Sequence, residues 1–170
     1  KLDIDKKENI KFNKLKITKK MKRFVTNHLI LVYTKVKRES SDVIRSQKNN
    51  PNIIQLYDDI KALNKELLLG FKEFKAKKIA EVFNKHWKIK KKLSNAISNN
   101  SINSLYEKLM IKYNCLGGKL IGAGGGGFFL MVVKNKKKII KKLNKDKIGF
   151  LEFNIDELGS RIVDINKNNF

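Results

Sequence analysis

The stretch KLIGAGGGGFFLMVV, Lys119 to Val133, places five glycines among the six residues Gly122 to Gly127, directly between two apolar runs. Glycine inside a regular element costs roughly 0.5–1 kcal/mol relative to alanine. A cluster this dense interrupts helix and strand alike. It calls for a backbone that turns sharply, or one that something approaches closely. The FFLMVV run after it reads as a fully buried strand and GKLIG before it as a short one. Strand, glycine turn, strand excludes two common nucleotide motifs. A dinucleotide fingerprint needs its glycine turn to open a helix. A Walker-type loop ends in Gly-Lys-Ser/Thr, whereas this chain continues Gly-Phe-Phe. Two readings remain: a hairpin in which glycine supplies positive φ, or a loop whose bare N–H groups form an anion-binding concavity. Five glycines exceed what a hairpin needs, which favours the second.

The rest of the pattern sets the fold class. NIKFNKLKIT, residues 9–18, alternates imperfectly and reads as a strand with a bulge or bend; HLILVYT, His28 to Thr34, is a clearer buried strand. A helix starts near Ser40, with Ser40 or Ser41 as N-cap and Asp42 in its first turn. Beyond Pro51 the period becomes helical. Leu56, Ile60, Leu63, Leu67, Phe71 and Phe74 form one apolar stripe, with Gly70 marking a break or a close crossing. Ile79, Val82, His86, Ile89 and Leu93 form a second, ending near SNAISNNS, and residues 102–113 a third helix. Residues 134–144 are a basic helix with Ile139, Ile140 and Leu143 on one side. IGFLEFNI and SRIVDI, separated by a turn at Gly159, close the pattern as strands. The expectation is an α+β fold, an antiparallel or mixed sheet covered on one face by helices.

Composition bounds the partners. The net charge of +23 suggests nucleic acid, but only four of the 39 basic residues are arginine, the side chain whose planar fork reads phosphates and bases bidentately. The lysines arrive with many asparagines and isoleucines, the signature of AT-rich coding, so the charge reads mostly as background. A basic module that binds polyanions stays open as the alternative. No run of about 18 apolar residues exists to span a membrane. One cysteine, two histidines and no zinc-ligand spacing point to a reducing, cytoplasmic setting without a metal site.

LGGKLIGAGGGGFFLMVV, Leu116 to Val133, resembles the third conserved motif of the GHMP sugar and metabolite kinases. HLILVYTKVKRESSDVI (28–44) and NKHWKIKKKLSNAIS (84–98) resemble segments of the D-glycero-D-manno-heptose 7-phosphate kinases within that family. The resemblance covers nearly the whole chain. It implies the C-terminal domain of a GHMP kinase, of ferredoxin-like type, over residues 21–170, with residues 1–20 as the trailing strand region of an N-terminal domain. Relatives hold their ATP phosphate loop and catalytic acid in that N-terminal domain. No such stretch stands here: Pro51, in NNPNII, is the only proline. The resemblance therefore implies no catalytic residue and no metal ligand in this segment, and ATP with magnesium bound only by the full-length kinase. Its implied partners are that N-terminal domain, ATP and a sugar phosphate, with no specific nucleic acid and no membrane.

The implied site is the loop Gly122, Ala123, Gly124, Gly125, Gly126 and Gly127, lying against the phosphate-binding cleft. Four further residues are candidates. Lys119 either meets a phosphate or is solvated. Arg38 and Ser40, near a helix start, form a candidate anion corner. His86 lies on an apolar stripe, where a satisfied, partly buried histidine competes with a substrate contact. Trp87 reads as core or cleft wall, and Cys115 as a small buried hydrophobe. Lys35 stands where relatives often carry glycine.

Overall fold

The computed structural model describes residues 2–5, 7, 9–12, 17–37 and 40–156. Two short strands, β1 (Leu2–Ile4) and β2 (Ile10–Phe12), pair antiparallel as a separate hairpin. Then follow α1 (Lys19–His28), β3 (Leu29–Tyr33), α2 (Ser40–Gln47), α3 (Ile53–Lys72) and α4 (Ala76–Lys92). A 3₁₀ turn (Asn95–Ile97) leads to α5 (Asn100–Ile111), β4 (Gly117–Leu120), β5 (Phe128–Val132), α6 (Lys136–Lys145) and β6 (Phe150–Leu151). Strands β4, β5, β3 and β6 lie side by side in that order, every pair antiparallel.

Alternation along the strands sends Ile30 and Val32 of β3, Phe129 and Met131 of β5 and Leu120 of β4 to one face. All five are buried, and the helices pack over them through Val43, Leu56, Trp87, Ile102, Leu109, Ile139 and Leu143. A smaller cluster joins Leu29 and Val132 on the other face to Phe24 of α1 and to Ile79, Ala80 and Phe83 of α4. Helix α4 runs along the free edge of β4. There Asn84 Oδ1 accepts from the Gly118 amide at 2.9 Å and from the Tyr106 hydroxyl at 2.6 Å, which satisfies edge groups that would otherwise template aggregation.

The structure amends the sequence reading in four places. Helix α1, over Lys19–His28, fills a stretch between the two expected strands to which the sequence reading gave no element; Thr18 caps it, its Oγ1 accepting from the Met21 amide at 3.1 Å. Of the strand expected over residues 9–18, β2 covers Ile10–Phe12, and residues 13–16 lie outside the described residues. Gly70 makes no break: α3 runs through it, and a Cβ there would meet Ile79 Cγ1 of α4 at 2.8 Å, so it marks the close crossing of two helices. IGFLEFNI contributes only Phe150–Leu151 to the sheet, while SRIVDI and the turn at Gly159 lie outside the described residues. Among the described residues no helix is long and apolar enough to cross a membrane.

Candidate functional site

The glycine loop joins β4 to β5 and is pinned at three points. At its start, Lys90 of α4 donates from Nζ to the carbonyls of Leu120 (3.1 Å) and Gly122 (2.5 Å). In the middle, the Gly125 amide donates to the Ile97 carbonyl of the 3₁₀ turn at 2.8 Å. At its end, the Gly127 amide donates to Val36 O at 3.0 Å, while Gly127 O accepts from Thr34 N (2.9 Å) and Thr34 Oγ1 (2.9 Å). Gly122, Gly124, Gly125 and Gly127 hold positive φ, between 72° and 120°. Gly126 has a different reason: a Cβ there would lie 2.3 Å from Val36 O. Sharp turning and close backbone approach thus both act in this loop.

Pinning consumes only part of the loop's donors. The amides of Gly122, Ala123, Gly124 and Gly126 have no acceptor among the described residues. Consecutive amides in a backbone that alternates through positive φ make a concavity suited to an anion.

Behind the loop lie three basic side chains. Lys90 is 8% exposed. Burial, then the Lys119 charge, lowers its pKa to about 8. Lys119 is half-buried with Nζ 5.5 Å from the centre of the Phe83 ring, and burial lowers its pKa too. It is therefore not a freely solvated lysine. His86 is half-buried and drops to about 4, first through burial and then through Lys119 and Lys90, so its ring is neutral near pH 7. Its Nδ1 is buried with no hydrogen-bond partner among the described residues. Trp87 is core, 1% exposed and edge-on to Phe129 at 5.6 Å. Cys115 is buried, and desolvation pushes its thiol up to about 12, so it behaves as an inert small hydrophobe.

Arg38 lies outside the described residues, and Ser40 is exposed as the first residue of α2 rather than its cap. The structure thus brings Lys119 and His86 together beside the loop. Sequence reasoning missed the pins. Lys90 sits one helical turn beyond His86, and that spacing was its only signal; Thr34, Val36 and Ile97 carried none. Two clefts of about 520 and 670 Å³ share Leu116 and Lys134 and lie at the other end of the β4–β5 hairpin, away from the loop. Among the described residues no three His, Cys, Asp or Glu side chains gather as a metal site.

This fold, with a pinned glycine turn between two antiparallel strands, defines a class. Residues 70–147 match the family model described as GHMP kinases C terminal. Several solved structures are similar to it. Mevalonate kinase from Methanococcus jannaschii superposes with a TM-score of 0.63 at 25% identity, over 81% of this chain and 42% of that one. A D-glycero-D-manno-heptose 1-phosphate kinase from Bacteriodes thetaiotaomicron gives 0.61 at 17% identity, over 90% of this chain and 40% of that one. Phosphomevalonate kinase from Streptococcus pneumoniae, in complex with phosphomevalonate and AMPPNP, gives 0.61 at 22% identity, over 72% and 37%. The last two likenesses show the fold. The chain spans only about two fifths of the length of these relatives. No curated protein matches it.

Proposed function

We propose that this chain is the C-terminal domain of an ATP-dependent cytoplasmic kinase that phosphorylates a heptose 7-phosphate or a related sugar. In this reading residues 21–170 form that domain, and residues 1–20 trail from an N-terminal domain that carries the phosphate loop and the catalytic acid. The observation that carries the reading is the pinned loop, four of whose amides have no acceptor among the described residues, in a segment that matches a kinase family model. Phosphoryl transfer relies on positioning and on electrostatic stabilisation of charge spread over the phosphoryl oxygens. Preset N–H donors supply that stabilisation without reorganising. The loop gives amides and shape, and no proton acceptor. ATP fits this donor set, with magnesium held in the full-length protein. Exposed Ile4 and Ile10, opposite one another on the β1–β2 hairpin, support its packing against a further domain.

The substrate assignment rests on the segments 28–44 and 84–98, and it competes directly with mevalonate and phosphomevalonate. The test is ADP release by the full-length protein with each of these acceptors. Heptose 7-phosphate should give a kcat/KM at least about tenfold above the others, equivalent to roughly 1.4 kcal/mol. Turnover with mevalonate alone would overturn the sugar assignment while keeping the kinase. The 170-residue chain by itself should release no ADP with any acceptor.

A further inference from the structure

Lys90 is the only charged side chain in the buried set among the described residues. No carboxylate pairs with it there. Its Nζ is met instead by two carbonyl oxygens, Leu120 O and Gly122 O, and by its place in the last turn of α4, where the helix dipole favours a cation. A residue that only filled this space would cost less as methionine or leucine, because an isolated buried charge is expensive. The bonds it makes show what the charge does.

A trans peptide is planar, so its C=O and N–H point in opposite directions. The carbonyl of Leu120 is drawn toward Lys90, and the amide of the same peptide unit, Ile121 N–H, donates the other way, to Phe128 O at 3.0 Å. The next pinned carbonyl is Gly122 O, and its peptide unit contains the Ala123 amide. Drawing Gly122 O inward to Lys90 therefore turns Ala123 N–H away from α4, and that amide has no acceptor among the described residues. Gly122 tolerates the arrangement at φ 72°. Van der Waals packing could not impose this direction, since it does not distinguish a carbonyl from an amide. A cation does.

We propose that Lys90 is a positioning residue of the phosphoryl-transfer site: by holding the Gly122 carbonyl inward it aims the Ala123 amide at the anion the loop receives. This rests on the kinase reading above. His86 and Lys119, the basic groups that face Lys90 from its own helix and from β4, add no competing acceptor charge. Lys90 touches no substrate and acts through the loop backbone.

The experiment compares wild type, Lys90→Met, Lys90→Arg and the exposed control Lys92→Met in the full-length protein, with ATP and the acceptor that turns over best. Lys90→Met keeps the aliphatic stem and loses the donors. It should lower kcat at least tenfold with the acceptor KM within about twofold, because the aimed amide matters most when charge develops on the phosphoryl group. Lys90→Arg, which restores charge and donors, should recover part of that loss, and Lys92→Met should match wild type. A role confined to stability would lower active protein without a kcat loss per folded molecule, and arginine would not rescue it. If Lys90→Met fails to fold, Lys90→Gln, polar but too short to reach both carbonyls, carries the same comparison. An inactive wild type would overturn the function on which the proposal stands. An active wild type whose folded Lys90→Met or Lys90→Gln variant keeps its kcat would overturn the proposal alone.

Discussion

Lys35, at φ 60° in the turn between β3 and α2, occupies the left-handed region that an L side chain enters at a cost of roughly 1–2 kcal/mol. Glycine would hold this φ without strain. Lys35→Gly should therefore leave the melting temperature unchanged or raise it, strain relief outweighing the roughly 0.5–1 kcal/mol of extra chain entropy. A clear loss of stability would show that the Lys35 side chain contributes more than its strain. His86 makes a second residue-scale case. With a pKa of about 4 when folded and near 6.5 when unfolded, it takes a proton in the unfolded chain before the folded one accepts it. Stability should consequently fall as pH drops from 6.5 to about 4, by roughly 1–2 kcal/mol once partial exposure is allowed for. His86→Gln should flatten that limb of the melting-temperature profile; an unchanged slope would place the acid sensitivity elsewhere. Gly126, by contrast, leaves no room. Gly126→Ala would press a methyl on Val36 O, and overpacking of this kind costs about 1–3 kcal/mol, readable as a lowered denaturant midpoint.

At the scale of elements, α6 shows how a strained charge pattern is held. Its first turn is Lys136, Lys137 and Lys138, three cations at the positive end of the helix dipole, with no acid among them. Asn135 offsets this by accepting from the Lys138 amide at 3.0 Å. Asn135→Ala should cost about 1 kcal/mol, whereas Lys137→Glu should gain a few tenths to 1 kcal/mol, both measurable by chemical denaturation. Changes of the same sign would contradict the dipole argument. Elements with long stripes or uninterrupted apolar runs were legible: α3, α4, α5, β3 and β5 stand where periodicity put them. Helix α1 was not, because Met21, Phe24, Val25 and His28 spread over ten residues whose other members are mostly basic. Its signal was Thr18 as a cap ahead of that i, i+3, i+4, i+7 spacing. The glycine loop was legible because composition marks it. Its pins were not, since Lys90, Ile97, Thr34 and Val36 reach it across 28 to 93 residues of sequence, and only the folded chain brings them together.

For the molecule as a whole, a net charge of +23 opposes compaction by self-repulsion. Melting temperature should therefore rise between about 10 and 150 mM salt, where the screening length shortens toward 8 Å. Lys75, Lys77, Lys78, Lys134, Lys138 and Lys142 line the two clefts remote from the loop, yet Glu73 already pairs Lys75 and Lys78, at 3.2 and 3.5 Å. Random duplex DNA should accordingly bind weakly and lose binding near 150 mM salt, and sub-micromolar affinity there would favour a polyanion module instead. The central claim concerns the other end of the β4–β5 hairpin, where a pinned glycine loop offers unused amides to a phosphate. Amide proton–nitrogen spectra of the full-length protein, titrated with AMPPNP, test it most directly. Resonances of Ala123, Gly124 and Gly126 should shift strongly on saturation, while Gly125 and Gly127, already bonded to Ile97 O and Val36 O, shift little. Saturating nucleotide that leaves the Ala123, Gly124 and Gly126 amides unmoved would contradict the account.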